Sequence, residues 1–171
     1  MELLIFSDSH GNRSNMQWAY DRQPVRPRQI IFLGDGLRDL DAVYFEDQPI
    51  CAVRGNCDWF GGDAREDATL ELEGHRIFCT HGAVYNVKSG LERLKLAAAA
   101  RNADIVLFGH THRRHEEILP AGTVIGDHVL ERPMYLFNPG SIGSGYGADC
   151  NSFGVLTLQG RSVLLSHGSI N

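Results

Sequence analysis

No apolar run in this chain approaches the roughly 20 residues that a membrane-spanning helix needs. The longest small apolar run, Leu96 to Ala100, is closed off by Lys95 and Arg101. The opening Met1-Glu2-Leu3-Leu4-Ile5-Phe6 lacks a basic n-region and its apolar stretch is short, so no secretory leader and no membrane partner are expected. Basic residues are also in deficit. Sixteen Lys and Arg stand against 21 Asp and Glu, a net charge of −5 with His neutral, which argues against a general nucleic-acid binder and against a stable nucleic-acid complex. A nucleotide substrate stays admissible, because bound metal ions would change the local charge. The four cysteines, Cys51, Cys57, Cys79 and Cys150, form no CxxC pair, which excludes a zinc ribbon and a thioredoxin-like motif. Cys51 and Cys79 sit in strand-like runs and read as buried thiols, with a reducing cytoplasm as the expected location. Repeats, low-complexity tracts and long linkers are missing too, so residues 1–171 read as a single domain. Its composition, 43% hydrophobic and 22% charged, is that of an ordinary soluble globular protein.

What is present is a series of short apolar runs. Leu3 to Phe6, Gln29 to Leu33 and Ile50 to Val53 are separated by segments with helical character, roughly Ser14 to Asp21 and Asp39 to Glu46. That alternation predicts βαβ units and a mostly parallel sheet. Leu70 to Cys79 alternates, turns at Glu73-Gly74 and then runs apolar, a hairpin signal. Lys88 to Asn102 has helical spacing, with Leu91, Leu94 and Ala98 on one face. Ile105 to Phe108 is another buried-strand run. Strand-like stretches then follow at Glu116 to Leu119, Met134 to Phe137, Val155 to Leu158 and Val163 to Leu165, with a Gly/Ser-rich loop from Gly140 to Asp149. Together these predict an α/β fold: an αββα sandwich of two mixed sheets flanked by helices, the parallel half first and the antiparallel half later.

Five of the apolar runs end in polar clusters: Asp8/His10, Asp35, Asn56, His81 and His110/His112. Ligands of open α/β sheets bind outside the carboxyl ends of the strands, and parallel strands would bring these clusters to one edge. Asp8-Ser9-His10 and His110-Thr111-His112 each offer two donors two positions apart, which face the same way if the backbone is extended. Asp35 lies between Gly34 and Gly36, which permit a tight turn, and its carboxylate can bridge two cations. Asn56 adds an amide oxygen. Two Asp, one Asn and four His suit Mn, Fe, Zn, Ni or Co rather than Ca or Mg alone. Seven ligands with one bridge exceed a single tetrahedral site and fit two ions about 3.5–4 Å apart. Any one of these motifs alone is ordinary turn chemistry; their joint occurrence, each after a strand, is not. His75, His115, His128 and His167 lack that context and read as surface or structural residues.

The series Asp8-Ser9-His10-Gly11, Gly34-Asp35, Gly55-Asn56-Cys57-Asp58, Thr80-His81-Gly82 and Gly109-His110-Thr111-His112 resembles the calcineurin-like metallophosphoesterases. The compact length, Cys57 and Asn138-Pro139-Gly140-Ser141 point to their small YfcE-like phosphodiesterase branch. The resemblance implies one metal on Asp8, His10, Asp35 and His112 and a second on Asp35, Asn56, His81 and His110, with Asp35 bridging. It implies Mn as the usual metal, with Ni, Co or Zn tolerated, and a small phosphate-ester substrate, a nucleotide being within the class. A homodimer is common among such relatives. The implied reaction is attack on phosphorus by a hydroxide bridging the two ions, with Asn56, Cys57, Asp58 and His81 as the catalytic set around it. Phosphomonoesterase or nucleotidase action on the same site, and a non-catalytic protein-binding scaffold of the same fold, are the alternatives.

Three departures bear on that mechanism. Cys57 stands where many larger relatives carry the His that protonates the leaving group. Ala83 replaces a second His after the HG motif, and Arg38 replaces an Asp three positions after Asp35. With no strong general acid, good leaving groups such as aryl phosphates are expected to react best. The stretch Gly122 to Pro133 is longer than the usual hairpin there and reads as a loop.

Overall fold

The computed structural model describes residues 1–60, 62–143, 149 and 151–170. Cys150 and the middle of the predicted Gly/Ser-rich loop, 144–148, lie outside the described residues. In chain order the elements are β1 (Glu2–Phe6), α1 (Arg13–Asp21), β2 (Gln29–Phe32), β3 (Ile50–Ala52), β4 (Asp67–Leu72), β5 (His75–Thr80), α2 (Glu92–Ala100), β6 (Ile105–Phe108), β7 (Arg114–Leu119), β8 (Val124–Ile125), β9 (His128–Val129), β10 (Met134–Pro139), β11 (Ser152–Gln159) and β12 (Ser162–Ser169). They build two five-stranded sheets, ordered β12-β11-β1-β2-β3 and β4-β5-β6-β10-β7, and a small β8-β9 ribbon.

The expected split into a parallel first half and an antiparallel second half is not what forms. Each sheet has its own parallel centre, β1-β2-β3 in one and β5-β6-β10 in the other, with antiparallel strands added outside. Strand β10 comes late in the chain yet lies parallel to β6, because it is buried on both faces like the early strands.

Side-chain alternation explains the layering. Leu3 and Ile5 of β1 face inward with Ile31, Val53, Ile77, Cys79, Ile105, Leu107 and Leu156, forming the core between the sheets. Leu4 and Phe6 face the other way, onto Met16, Ala19 and Tyr20 of α1. Val106 and Phe108 likewise face Leu94 and Ala98 of α2. A strand covered on both faces must be apolar at every position, which is why these runs are continuous rather than alternating.

Asn12 caps α1, its side chain accepting from the Asn15 N–H. The predicted helix over Asp39 to Glu46 is instead a 3-10 turn, Leu37–Ala42. Ser9 and the Gly11 N–H pull the Asp39 carboxylate toward the β1 end (2.5 and 2.8 Å), and Glu46 and Asp47 take left-handed φ of 49° and 62°. The predicted helix over Lys88 to Asn102 is shorter. Gly90, at φ 139°, breaks it from a preceding 3-10 turn, Val87–Ser89. Its Leu94 and Ala98 are buried and Leu91 packs against them, on the face the spacing predicts. The β4-β5 hairpin turns at Glu73 and Gly74, both left-handed, the backbone of a two-residue type I′ turn.

Residues 122–133 form the β8-β9 ribbon rather than a plain loop. Ile125 is buried with Leu94 and Ala98 of α2, which gives the excursion a hydrophobic anchor. His75 is a structural residue: buried, it pairs Nδ1 with Asp104 at 2.6 Å and Nε2 with the Gly160 carbonyl at 2.9 Å. His167 stacks on Phe137, His115 contacts Glu117, and His128 is exposed. Among the described residues no helix is long and apolar enough to cross a membrane.

Candidate metal centre

The C-terminal ends of β1, β2 and β3 in one sheet meet those of β5 and β6 in the other. All seven of the predicted ligand side chains come from the turns that leave these strands. Asp8 Oδ1 lies 3.0 Å from His112 Nε2 and 3.6 Å from His10 Nε2. Asp35 Oδ2 lies 3.3 Å from His81 Nε2 and 3.8 Å from His10 Nε2. His81 Nε2 is 2.9 Å from Asn56 Oδ1 and 3.2 Å from His110 Nδ1. The candidate metal-holding groups are Asp8 with His10 and His112, Asp35 with His81 and His110, and His10 with Asp35 and Cys57.

The convergence is not achieved by extended backbone. Asp8, His10, Asp35, His110 and His112 all have left-handed φ, between 44° and 70°. Residues two apart therefore converge because the chain coils at the strand end, and such strain concentrates at functional sites. The glycines serve close approach. A Cβ on Gly34 would sit 2.6 Å from the Gly55 nitrogen, and one on Gly55 would collide with the Asp35 carboxylate.

The donor chemistry fits a cation. Asp8 is buried, and among the described residues its Oδ1 meets no well-directed hydrogen-bond donor, the His112 Nε2 standing 3.0 Å away. The His81 Nδ1–H donates to the Leu33 carbonyl at 2.7 Å. That fixes a proton on Nδ1 and turns Nε2 toward the oxygens of Asp35 and Asn56, and although burial opposes it, the Asp35 and Asp8 carboxylates raise the His81 pKa and so favour positive charge at this point. Acceptors facing acceptors in a buried cluster repel one another unless a cation lies among them. The carboxylates favour positive charge here, Asp8 raising the His10 pKa and Asp35 with Asp8 raising that of His81. Burial raises the Asp8 carboxyl, but contacts with His10 and His112 outweigh it and hold its pKa far below the ordinary carboxylate value. His110, half-buried and near His81 and the Lys88 ammonium, is pushed down to about 4, so it is neutral and free to ligate at pH 7.

The predicted catalytic residues divide by geometry. His81 and Asn56 are in the cluster. Cys57 is exposed beside it, and burial of its thiol together with the Asp35 charge pushes its pKa up. Asp58 faces away from the cluster. Its carboxylate accepts four backbone N–H bonds: Asp35 (2.7 Å) and Gly55 (2.9 Å) on one oxygen, Gly36 (2.8 Å) and Leu37 (3.0 Å) on the other.

Several supporting residues escaped the sequence reading. Ser141 donates to the Asp8 carbonyl, and Asn138 donates to the Gly109 carbonyl and accepts from the Gly140 N–H. These tie the turn after β10 to both sheets, and the Asn-Pro-Gly-Ser motif was their only trace. A cavity of about 630 Å³ next to His110 and His112 is also lined by Lys88, Arg113 and Arg114. Their dispersal over 27 positions hid that grouping.

Two mixed sheets thus pack face to face, with carboxylates and imidazoles gathered where their strand ends meet. Comparison with known proteins gives the family. The calcineurin-like phosphoesterase superfamily domain matches residues 1–161. Probable metallophosphoesterase YsnB of Bacillus subtilis is 31% identical over 159 residues, spanning 93% of this chain and 85% of that one. Phosphodiesterase YfcE of Escherichia coli K12 is 32% identical over 123 residues, 67% of this chain and 56% of that protein. Vps29 from Entamoeba histolytica, in a single-mutant form, superposes with a TM-score of 0.72 over 100% of both chains at 21% identity, a likeness of fold alone. The chain belongs to the calcineurin-like phosphoesterase superfamily, in keeping with its YfcE-like branch.

Proposed function

We propose that this chain is a binuclear metal-dependent phosphodiesterase, carried by one domain. Asp8, His10, Asp35 and His112 would hold one cation; Asp35, Asn56, His81 and His110 would hold the other, with Asp35 shared. The observation that carries the reading is the meeting of two donor triads, Asp8 with His10 and His112 and Asp35 with His81 and His110, with Asn56 against His81. Mn is the metal we favour, with Ni, Co, Zn and Fe as alternatives, because the donors mix oxygen and nitrogen. Bound cations supply a water acidic enough to react near neutral pH and neutralise charge on the phosphoryl oxygens.

The chain's own groups do the rest. Leu33 holds the His81 ring in the ligating tautomer. Asp58 clamps the Asp35 and Gly55 turns to each other, so it positions the shared carboxylate rather than touching substrate. The Asn56 amide, on an exposed turn, can donate to a phosphoryl oxygen. Lys88 and Arg113, beside His110 and His112, add positive field that draws an anionic ester to the centre. Cys57 is a poor proton donor with its pKa raised, which favours leaving groups that depart without protonation.

A diester is preferred to a monoester on the name of the E. coli relative; the same centre could serve a nucleotidase reaction, so both ester types belong in the test. The Vps29 likeness supports a scaffold reading only as to fold, whereas the complete donor set supports catalysis. The test is to prepare apo protein, restore Mn, and assay diesters and monoesters beside Asp35→Asn. The expected result is Mn-dependent turnover that falls at least about a hundredfold in the variant, in line with loss of a group that holds the metal centre. Absence of metal-dependent turnover on every ester would refute the enzyme reading, and full activity in Asp35→Asn would refute the ligand assignment.

A further inference from the structure

On the other side of the centre, His10, Asp35 and Cys57 open into a cavity of about 340 Å³ also lined by Leu37, Arg38, Trp59 and Phe60, and by Asp39 and Asp58, whose carboxylates are engaged by Ser9 and backbone N–H groups. Trp59 and Phe60 are 84% and 79% exposed, the two most exposed large hydrophobic side chains among the described residues. Neither belongs to any of the three core clusters. They therefore add little to folding stability, and water around two adjacent aromatic faces is displaced favourably by a ligand.

Arg38 makes the surface more specific. Its guanidinium carbon lies 4.9 Å from the Phe60 ring centroid. Among the described residues the arginine–carboxylate pairs involve Arg26, Arg76, Arg101 and Arg132, not Arg38. Its neighbour Asp39 is occupied by Ser9 and Gly11. An unpaired cation stacked on an open aromatic wall, within one cavity with two of the metal-ligating side chains, matches a phosphate ester with an aromatic arm. The ring lies on the wall and the guanidinium takes an anionic oxygen. A second protein is the poorer fit, since two rim aromatics fall far short of the roughly 1,200 Å² that a stable interface buries.

We propose that Trp59 and Phe60 form the subsite for the aromatic arm of the substrate, an aryl ring or a nucleobase, and that they set specificity for it. The inference rests on the phosphodiesterase reading above and narrows it. Removing a stacking partner typically weakens binding of an aromatic base about 5- to 160-fold.

The test uses Mn-loaded full-length chain and two p-nitrophenyl phosphodiesters with the same leaving group, one with a thymidine 5′ arm and one with a methyl arm. The thymidine ester should be preferred about tenfold or more in kcat/KM, chiefly through KM. Trp59→Ala and Phe60→Ala should each lower that ratio, and Trp59→Phe should retain most of it. Independently of turnover, thymidine 5′-phosphate should quench Trp59 fluorescence, read as the difference between wild type and Trp59→Phe, which leaves only Trp18. Quenching without turnover of either ester would refute the phosphodiesterase reading and still support the subsite. Turnover with an unchanged ratio in the Ala variants, and no quenching, would overturn the subsite. An unchanged ratio with a dimer-to-monomer shift in sedimentation would also overturn it and assign the wall to self-association.

Discussion

Asp58→Asn separates a residue that positions the metal centre from one that takes part in the reaction. Asp58 accepts four backbone N–H bonds, two on each oxygen. Asparagine keeps one oxygen and turns an NH2 donor toward two N–H donors. Two charge-assisted bonds are lost, each worth about 1.5–3 kcal/mol. Asp58 is only half-buried, so water can replace part of what is lost, and the net cost should be about 3 kcal/mol. For a chain of this size that lowers Tm by about 6–12 °C. Because two of the four donors belong to Asp35 and Gly55, the apparent Mn affinity should also fall, by about 10–100-fold as for other groups that orient ligands. Thermal unfolding of the apo protein, Mn titration, and a pH–rate profile at saturating Mn measure the three effects. The variant's profile should keep its shape. Wild-type Tm and Mn affinity, together with a collapsed kcat and a lost basic limb, would refute the argument and make Asp58 a proton donor.

Two further outcomes follow from side chains around the centre. Lys88→Ala and Arg113→Ala should raise KM for anionic esters several-fold and flatten its rise with salt, because both cations line the cavity beside His110 and His112; salt dependence equal to wild type would exclude that role. His167 has its pKa lowered by burial and by Arg114, despite donating from Nε2 to the Asn138 carbonyl at 2.7 Å. The unfolded chain therefore binds more protons as pH falls below about 6.5, and folding stability drops there. His167→Phe should remove that slope, read as the difference between the urea-unfolding curves of wild type and variant between pH 7 and pH 5; parallel curves would show that His167 does not contribute.

Much of this architecture was legible because burial on two faces leaves a plain signature. Ile105 to Phe108 is apolar at every position since Leu107 enters the inter-sheet core while Phe108 enters the α2 layer. The Glu73-Gly74 turn was legible from Gly74, which takes left-handed φ freely and interrupts two strand-like runs, while the left-handed Glu73 follows from the two-residue loop. The failures have equally local causes. The segment after Asp35 has the apolar spacing of a helix, but Ser9 and Gly11 capture Asp39 from 28 to 30 positions away, and no local pattern carries that contact. The ribbon at 122–133 depends on Ile125 finding α2, another contact remote in sequence. The four hydrogen bonds of Asp58 were not legible either, since they depend on how the Gly34–Leu37 turn folds back.

The candidate metal centre shows why the gathering of donor side chains was legible while their geometry was not. Side-chain type declares which atoms can bind a cation, and strand ends declare roughly where they gather. The approach itself is made by backbone φ: Asp8, His10, Asp35, His110 and His112 are all left-handed, a conformation costing of order 1–3 kcal/mol for each non-glycine residue. Such a set persists only where surrounding structure over-determines it. Here the restraint comes from both sheets at once, through Asp58 on the β2 and β3 turns, Ser141 on the Asp8 carbonyl and Asn138 on the Gly109 carbonyl. The ligands of β1, β2 and β3 therefore reach those of β5 and β6 only while the shared core of Leu3, Ile31, Ile77 and Leu107 keeps the sheets in register. On the proposed metal-centre reading, metal affinity and fold stability would be linked, and a cation bound only by the folded chain would stabilise it by an amount set by its concentration relative to Kd.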